Sequence, residues 1–257
     1  MAQDQALTLI PITLPLVKRL LPKRPRNADK EYFGRAFVVA GSKGMIGAAL
    51  LASRAVLRAG AGISILGVPQ SLADLVDAVS PEVMTIGLAE TTERTLSPKA
   101  YKKIKEVAER MKALAIGPGL SRNARTTKLE QKIYTRLFRS LKKLNLVIDA
   151  DGLNGLRPFA VRRAEYLPVI TPHAGELARL LKITRTKLEQ DPVYYARKAA
   201  KRFKVIVVLK GEQTIVVDPS ALEVLYNTTG NPGMATGGSG DVLTGVITGF
   251  IVQGMEP

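Results

Sequence analysis

The residues best suited to chemistry lie between Asn227 and Thr244, in NTTGNPGMATGGSGDVLT, where glycines and small residues lead to one acid, Asp241. Gly237, Gly238 and Gly240 let the backbone take turns closed to other residues and bring its N–H groups against a ligand without intervening side chains. The apolar run that follows, VLTGVITGFIVQGM, reads as a helix entering the core. Free N–H donors and the positive end of a helix dipole therefore meet in one loop, which favours an anion such as a phosphate. Asp241 in that field suits a general base, taking a proton from a hydroxyl while the N–H groups hold the phosphoryl group that the hydroxyl attacks. The competing reading is a first-turn acid that only complements the dipole.

Several elements must position this loop. From Ala36, AFVVAGSKGMIGAALLASRAVLRAGAGISILGVP reads as strand, glycine turn, helix and strand, a βαβ unit with a right-handed crossover. GSKGMIG lacks GxGxxG spacing and no acid follows the second strand at Gly67–Pro69, which sets aside ordinary dinucleotide binding. Further strands are expected at Val83–Leu88, Ala113–Ile116, Leu146–Ile148 and Val205–Leu209, and another ends at Thr171, Pro172 and His173. In such sheets ligands lie beyond the carboxyl ends of the strands. Gly119 sits there in a tight turn, as do Asp149 and Asp151, which either gather a metal or cap the next helix; capping is favoured, through Asp151. His173, the only histidine, shares that position, and Glu176 opens a helix where a dipole favours an acid. Thr214–Val217 and Leu222–Tyr226 suggest an antiparallel hairpin at the sheet edge. Residues up to Arg35 read as an irregular lead-in with one short helix, and the rest as one α/β domain.

Lys and Arg number 38 against 22 acids, a net charge of +16 that attracts phosphates, nucleotides or nucleic acid. The charge is dispersed, however. Between Arg122 and Lys143 the basic residues recur at helical spacing opposite Leu129, Ile133, Leu137 and Leu141, the pattern of a solvated helix face. With 5% aromatics and no tryptophan, a stacking platform for single-stranded nucleic acid is poorly supported. The absence of cysteine excludes disulfides, thiolate metal sites and a cysteine nucleophile, and suits a reducing cytoplasm. No run is long and apolar enough to span a membrane, and the first residues lack a basic leader before their apolar stretch.

The ordered string GNPGMATGGSGDVLTG resembles the anion-hole and catalytic-base segment of the ribokinase-like superfamily, and more narrowly that of the nucleotide-dependent NAD(P)H-hydrate dehydratases. GSKGMIGAALLASRAVLRAGAG, IGPGL, TPHAGE and LKGEQT resemble further motifs of that family in the same order, so the resemblance covers roughly 36–254. It implies a three-layer α/β/α fold with a mainly parallel sheet, in a domain over 36–257 preceded by the lead-in at 1–35. Family members usually continue through additional C-terminal helices. The activity it implies is ADP- or ATP-dependent dehydration of hydrated NADH and NADPH, with ADP preferred as donor and magnesium as cofactor.

Residue by residue, the resemblance makes Asp241 the catalytic base and Gly237, Gly238, Ser239 and Gly240 the anion hole. Ala48, Gly119 and His173 join Asp241 at the substrate, while Lys210, Gly211, Glu212, Gln213, Thr214 and Gly240 contact the nucleotide. Glu176 resembles the acid that organises magnesium through water, and Met45 stands where the family often has tyrosine. A homo-oligomer, tetrameric by resemblance, and a separate NAD(P)H-hydrate epimerase as functional partner are also implied. Two rivals remain: a kinase of a small alcohol using the same base and anion hole, and a basic nucleic-acid-binding protein.

Overall fold

The computed structural model describes residues 8–159 and 166–257. Ten strands form one sheet: β1 (Thr8–Pro11), β2 (Arg35–Val39), β3 (Ile63–Pro69), β4 (Met84–Leu88), β5 (Ala113–Ile116), β6 (Asn145–Ile148), β7 (Val169–Ile170), β8 (Ile206–Leu209), β9 (Thr214–Val217) and β10 (Glu223–Asn227). Their order is β1-β10-β9-β8-β7-β6-β5-β2-β3-β4, and only β9 runs against its neighbours. The helices are α1 (Leu14–Leu20), α2 (Ile46–Arg58), α3 (Ala73–Val79), α4 (Tyr101–Ala108), α5 (Ala124–Lys132), α6 (Phe138–Ser140), α7 (Ala174–Leu181), α8 (Arg185–Gln190), α9 (Pro192–Phe203) and α10 (Ser239–Val252).

Side chains alternate across each strand, and the two faces carry different sizes. Phe37, Val39, Leu114, Ile116, Leu146 and Ile148 pack under α4, α5, α7 and α9. Ala36, Val38, Ala113, Ala115 and Val147 face α2, α3 and α10. Such small residues let α2 and α10 lie close to the sheet and to each other. A side chain on Gly245 would strike the Ala52 carbonyl and come within 2.6 Å of Ala55 Cβ, so this position in α10 tolerates no Cβ. That contact fixes α10, and with it the loop at its amino end.

Two expectations change at the sheet's far edge. The hairpin β9–β10 forms as expected, but β10 is not the edge, because β1 pairs with it in parallel from Thr8↔Glu223 to Pro11↔Tyr226. The stretch ahead of Ala36 thus holds a strand as well as the expected short helix; residues 1–7 lie outside the described residues. It also meets the body of the fold, with Arg24 Nη1 donating to Gly60 O at 3.0 Å and to Gln253 Oε1 at 2.6 Å.

The basic helix buries Leu129, Ile133 and Leu137 as expected, yet it is not regular: a π-helical turn, Ile133–Leu137, separates α5 from α6. Glu130 on α5 is fully buried and neither carboxyl oxygen finds a hydrogen-bond partner. Burial pushes its pKa well above the carboxylate range, the charge of Asp151 adds to this, and the Gly155 amide offsets part. Between the unfolded and folded pKa values the native state binds a proton that the unfolded chain has released, so stability falls as pH rises. Glu130→Gln removes this term. Its stability relative to the parent, from urea melts, is expected to grow by about 1.4 kcal/mol per pH unit above pH ~4.5 until the folded pKa is reached. A difference independent of pH overturns the assignment of a neutral acid.

Candidate active site

The carboxyl ends of β6, β7 and β8 converge on one buried acid. Asp149, 1% exposed, follows β6. Its Oδ1 accepts from Lys210 Nζ at 2.7 Å and from Thr171 Oγ1 at 2.7 Å, and its Oδ2 accepts from Thr244 Oγ1 at 2.8 Å. Thr171 follows β7, Lys210 follows β8 and Thr244 lies one turn into α10, so one carboxylate ties three strand ends to the helix. A buried charge needs this degree of compensation.

The glycine loop rests on that ion pair. Gly238 is the N-cap of α10 at φ +92°, a left-handed conformation that glycine adopts without strain, and a side chain there would collide with Leu51 of α2. Ser239 Oγ donates to Thr236 O at 2.9 Å and closes the turn. A Cβ on Gly240 would lie 3.3 Å from Lys210 Nζ and 3.9 Å from Asp149 Oδ2. Gly240 and Asp241 open the helix, where N–H groups lack intrahelical partners. Gly237 is exposed and a Cβ there would meet nothing within 4 Å, so this part of the loop is open to a ligand.

Asp241 occupies the first turn of α10 and is partly buried. Burial raises its pKa first, the charge of Asp149 adds to it, Lys210 opposes, and Asp151 contributes a further rise. A carboxylate that holds a proton more tightly than usual beside open N–H donors suits a general base for a hydroxyl undergoing phosphorylation.

Two of the residues expected at the substrate, Ala48 and Gly119, meet at a second point. The sheet order reverses between β5 and β2, the switch point beside which such sheets hold ligands at the carboxyl ends of their strands. Gly41 N donates to Pro118 O at 2.8 Å, and Ser42 Oγ to Gly119 O at 2.8 Å, joining the two loops. Ala48, in the first turn of α2, and Gly119 adjoin: a Cβ on Gly119 would sit 3.2 Å from that of Ala48 and 2.7 Å from Met45 O. Gly119 itself is buried, so it shapes this wall by keeping it thin.

His173 is the N-cap of α7, where its Nδ1 accepts from Gly175 N at 3.0 Å and Glu176 N at 3.4 Å, leaving the side chain 59% exposed. Glu176 Oε2 accepts in return from His173 N at 2.8 Å, completing a capping box, with Oε1 3.6 Å from His173 Nε2. One carboxylate oxygen of Glu176 is thus engaged locally and the other faces the histidine. Among the described residues no three His, Cys, Asp or Glu side chains group closely enough to hold a metal ion directly.

The expected nucleotide segment divides. Lys210 N donates to Pro172 O at 2.9 Å, and its side chain turns inward to Asp149, not outward to solvent. Gly211, Glu212 and Gln213 form an exposed turn before Thr214 at the start of β9, and this turn adjoins the loop to α10, with Glu212 O 3.4 Å from a Cβ on Gly230. The capping reading of the acids after β6 fails. Asp149 makes no capping bond, being occupied by Lys210 and the threonines, and Asp151 Oδ2 accepts instead from Ser121 N at 2.9 Å in the loop after β5. Thr171 and Thr244 were not anticipated at all. Their only sequence signal is position: one ends a strand at the ligand edge, and the other stands four residues after Gly240.

Known proteins place this arrangement. A family model described as NAD(P)H-hydrate dehydratase matches residues 36–257. A bifunctional NAD(P)H-hydrate repair enzyme Nnr from Moorella thermoacetica is 40% identical over 96% of this chain, which covers 46% of that protein. The chain therefore spans about half the length of several such relatives. The ADP-dependent (S)-NAD(P)H-hydrate dehydratase of Bacillus subtilis is 31% identical over 94% of the chain and 80% of its own length. The crystal structure of the ADP/ATP-dependent NAD(P)H-hydrate dehydratase from Bacillus subtilis, co-crystallized with ATP/Mg2+, superposes with a TM-score of 0.80 at 30% identity, over 95% of this chain and 81% of that one. With its ribokinase-like α/β/α sheet, its glycine loop and the acid behind it, this chain belongs to the NAD(P)H-hydrate dehydratase family.

Proposed function

We propose that the protein repairs hydrated NADH and NADPH by nucleotide-dependent dehydration, with Asp241 as the base. The observation that carries this reading is the placement of Asp241 in the first turn of α10, with Gly240 seated on the Lys210–Asp149 pair. Asp241 takes the proton of the ring hydroxyl as that oxygen attacks the nucleotide's terminal phosphorus, and the bond from phosphorus to the bridging oxygen breaks. The N–H groups at Gly237–Gly240 and the ammonium of Lys210 stabilise charge on the transferring group. Phosphate then departs with the C–O electron pair, the neighbouring ring carbon gives its proton to water, the C–H electron pair forms the ring double bond, and the dihydropyridine is restored.

Ala48, Gly119 and His173 form the substrate side, and the 211–214 turn the nucleotide side. Magnesium, when bound, neutralises phosphate charge. With no direct three-ligand cluster among the described residues, the fit is to an ion held by waters and phosphates, with Glu176 as the outer acid. ADP is the preferred donor, supported by the names of the Bacillus subtilis and Xanthomonas campestris relatives. The relatives named as bifunctional repair enzymes support an NAD(P)H-hydrate epimerase as the functional partner activity. Among the described residues no helix is long and apolar enough to cross a membrane, consistent with the proposed cytoplasmic setting.

Recovery of the NADH absorbance band from hydrated NADH and magnesium, with ADP, ATP or neither, tests the reading. Recovery that depends on one nucleotide supports it, and accumulation of a phosphorylated alcohol without recovery points to a kinase. Asp241→Asn is expected to lower kcat by about 10²–10⁴ with an unchanged thermal melt; full activity removes the base from Asp241. Lys210→Gln tests the electrostatics by moving the acid limb of the kcat/KM profile. Losing the ammonium removes the one influence that lowers the Asp241 pKa and leaves Asp149 uncompensated, so the limb moves to higher pH. An unmoved or lower limb contradicts the coupling.

A further inference from the structure

A second hollow, about 440 Å³ in volume, opens on the α7–α9 side of the sheet. Arg157, Arg179, Lys182 and Arg202 line it, with the Asn154 amide and the apolar surface of Leu180. It lies away from the glycine loop. The α7 helix starts at His173 beside the reaction centre and carries Arg179 and Lys182 at its other end, about 12 Å along an eight-residue helix. Arg202 is in the last turn of α9, before β8 begins, at the opposite edge of the sheet from Lys210.

The charge here is one-sided. Among the described residues no acid lines the hollow, and none of its four cations forms an ion pair with a described residue. Cations near helix carboxyl ends complement the dipole, which accounts for Arg179, Lys182 and Arg202. It does not account for Arg157, which follows the 3₁₀ turn Ala150–Gly155 and bonds only to the carbonyl of its neighbour Leu156. Nor does it explain Asn154 Nδ2, a buried donor without an acceptor. Four cationic side chains from three separate segments, beside a buried amide donor with no acceptor and over an apolar wall in a space the size of a small-molecule site, describe a receptor for an anion with an organic part.

We infer that this hollow binds an organic phosphate of nucleotide size at a site separate from the reaction centre. Calorimetric titration of the intact protein with ADP at low ionic strength tests this, comparing the parent with Arg157→Gln/Arg202→Gln. The expected result is a class of ADP binding that the double variant weakens at least tenfold and that weakens with added salt, while the kcat of dehydration is unchanged. Arg157→Lys/Arg202→Lys, which keeps the charge, should restore most of that affinity. If the double glutamine variant does not reproduce the parent's thermal melt, Lys182→Gln reads the same class. ADP binding identical in the parent and these variants overturns the inference. The comparison is independent of the repair reaction, because loss of dehydration chemistry would leave this class of binding in place.

Discussion

The buried pair between Asp149 and Lys210 is the interaction on which the site depends. A carboxylate in the interior costs several kcal/mol unless its lone pairs and charge are met, and removing one member of such a pair is worse than never having it. Here Lys210, Thr171 and Thr244 meet it from three different elements. Satisfying one acid therefore sets the separation of β6, β7 and β8 and the height of α10 above them. Gly240 then has one place to sit, against the ammonium, where a Cβ would already be in tight contact. The pair also acts on Asp241. Burial raises the Asp241 pKa most, the negative end of the pair adds to that rise, and the positive end opposes it.

Packing supplies the second constraint. The anion loop is useful only if its N–H groups are held in place before a phosphate arrives, because preorganised donors need no rearrangement at the moment of reaction. The rigidity comes from behind. Gly245 admits the Ala52 carbonyl, and Gly249 lies 2.7 Å, from its Cβ position, to both Val56 O and Ala59 Cβ. A helix clamped at two turns cannot slide along its axis, and its amino end inherits that order. The alanines of β2 and β5 beneath it serve the same purpose, since larger side chains would lift α10 away from Asp149.

These features differ in how far the sequence discloses them. The core strands were legible because each is a short uninterrupted apolar run, and β5 spans Ala113–Ile116 as expected. The loop was legible because glycines, an acid and an apolar helix follow one another without interruption. The hub was not. Asp149 and Thr244 stand 95 residues apart, and a threonine inside a helix looks like any other until the fold brings an acid to it. The same acids suggested a cap, because a strand-end Asp before a turn is a common helix signal, and tertiary partners overrode it. Pairing of β1 was equally hidden, since TLIP is four residues long and its register against β10 exists only in the folded sheet. The burial of Glu130 has no sequence signal either, since it depends on Gly155, at the end of the 3₁₀ turn Ala150–Gly155, packing against it.

The distinction between a kinase and a dehydratase does not reside in the anion loop, which serves phosphoryl transfer in either case. It resides in the substrate. A hydrated nicotinamide carries its hydroxyl on a ring whose nitrogen lone pair can expel a leaving group, so once the hydroxyl is a phosphate ester the elimination needs no further catalytic group. A protein with the proposed activity has only to phosphorylate and to hold the ring. That division matches the arrangement: the charged groups Asp149, Lys210 and Asp241 cluster at the head of α10, whereas the junction at Ala48 and Gly119 is built of small side chains and backbone. On the proposed reading, specificity for repair comes from the groups that hold the ring near Asp241, and the chemistry after phosphoryl transfer is supplied by the substrate itself.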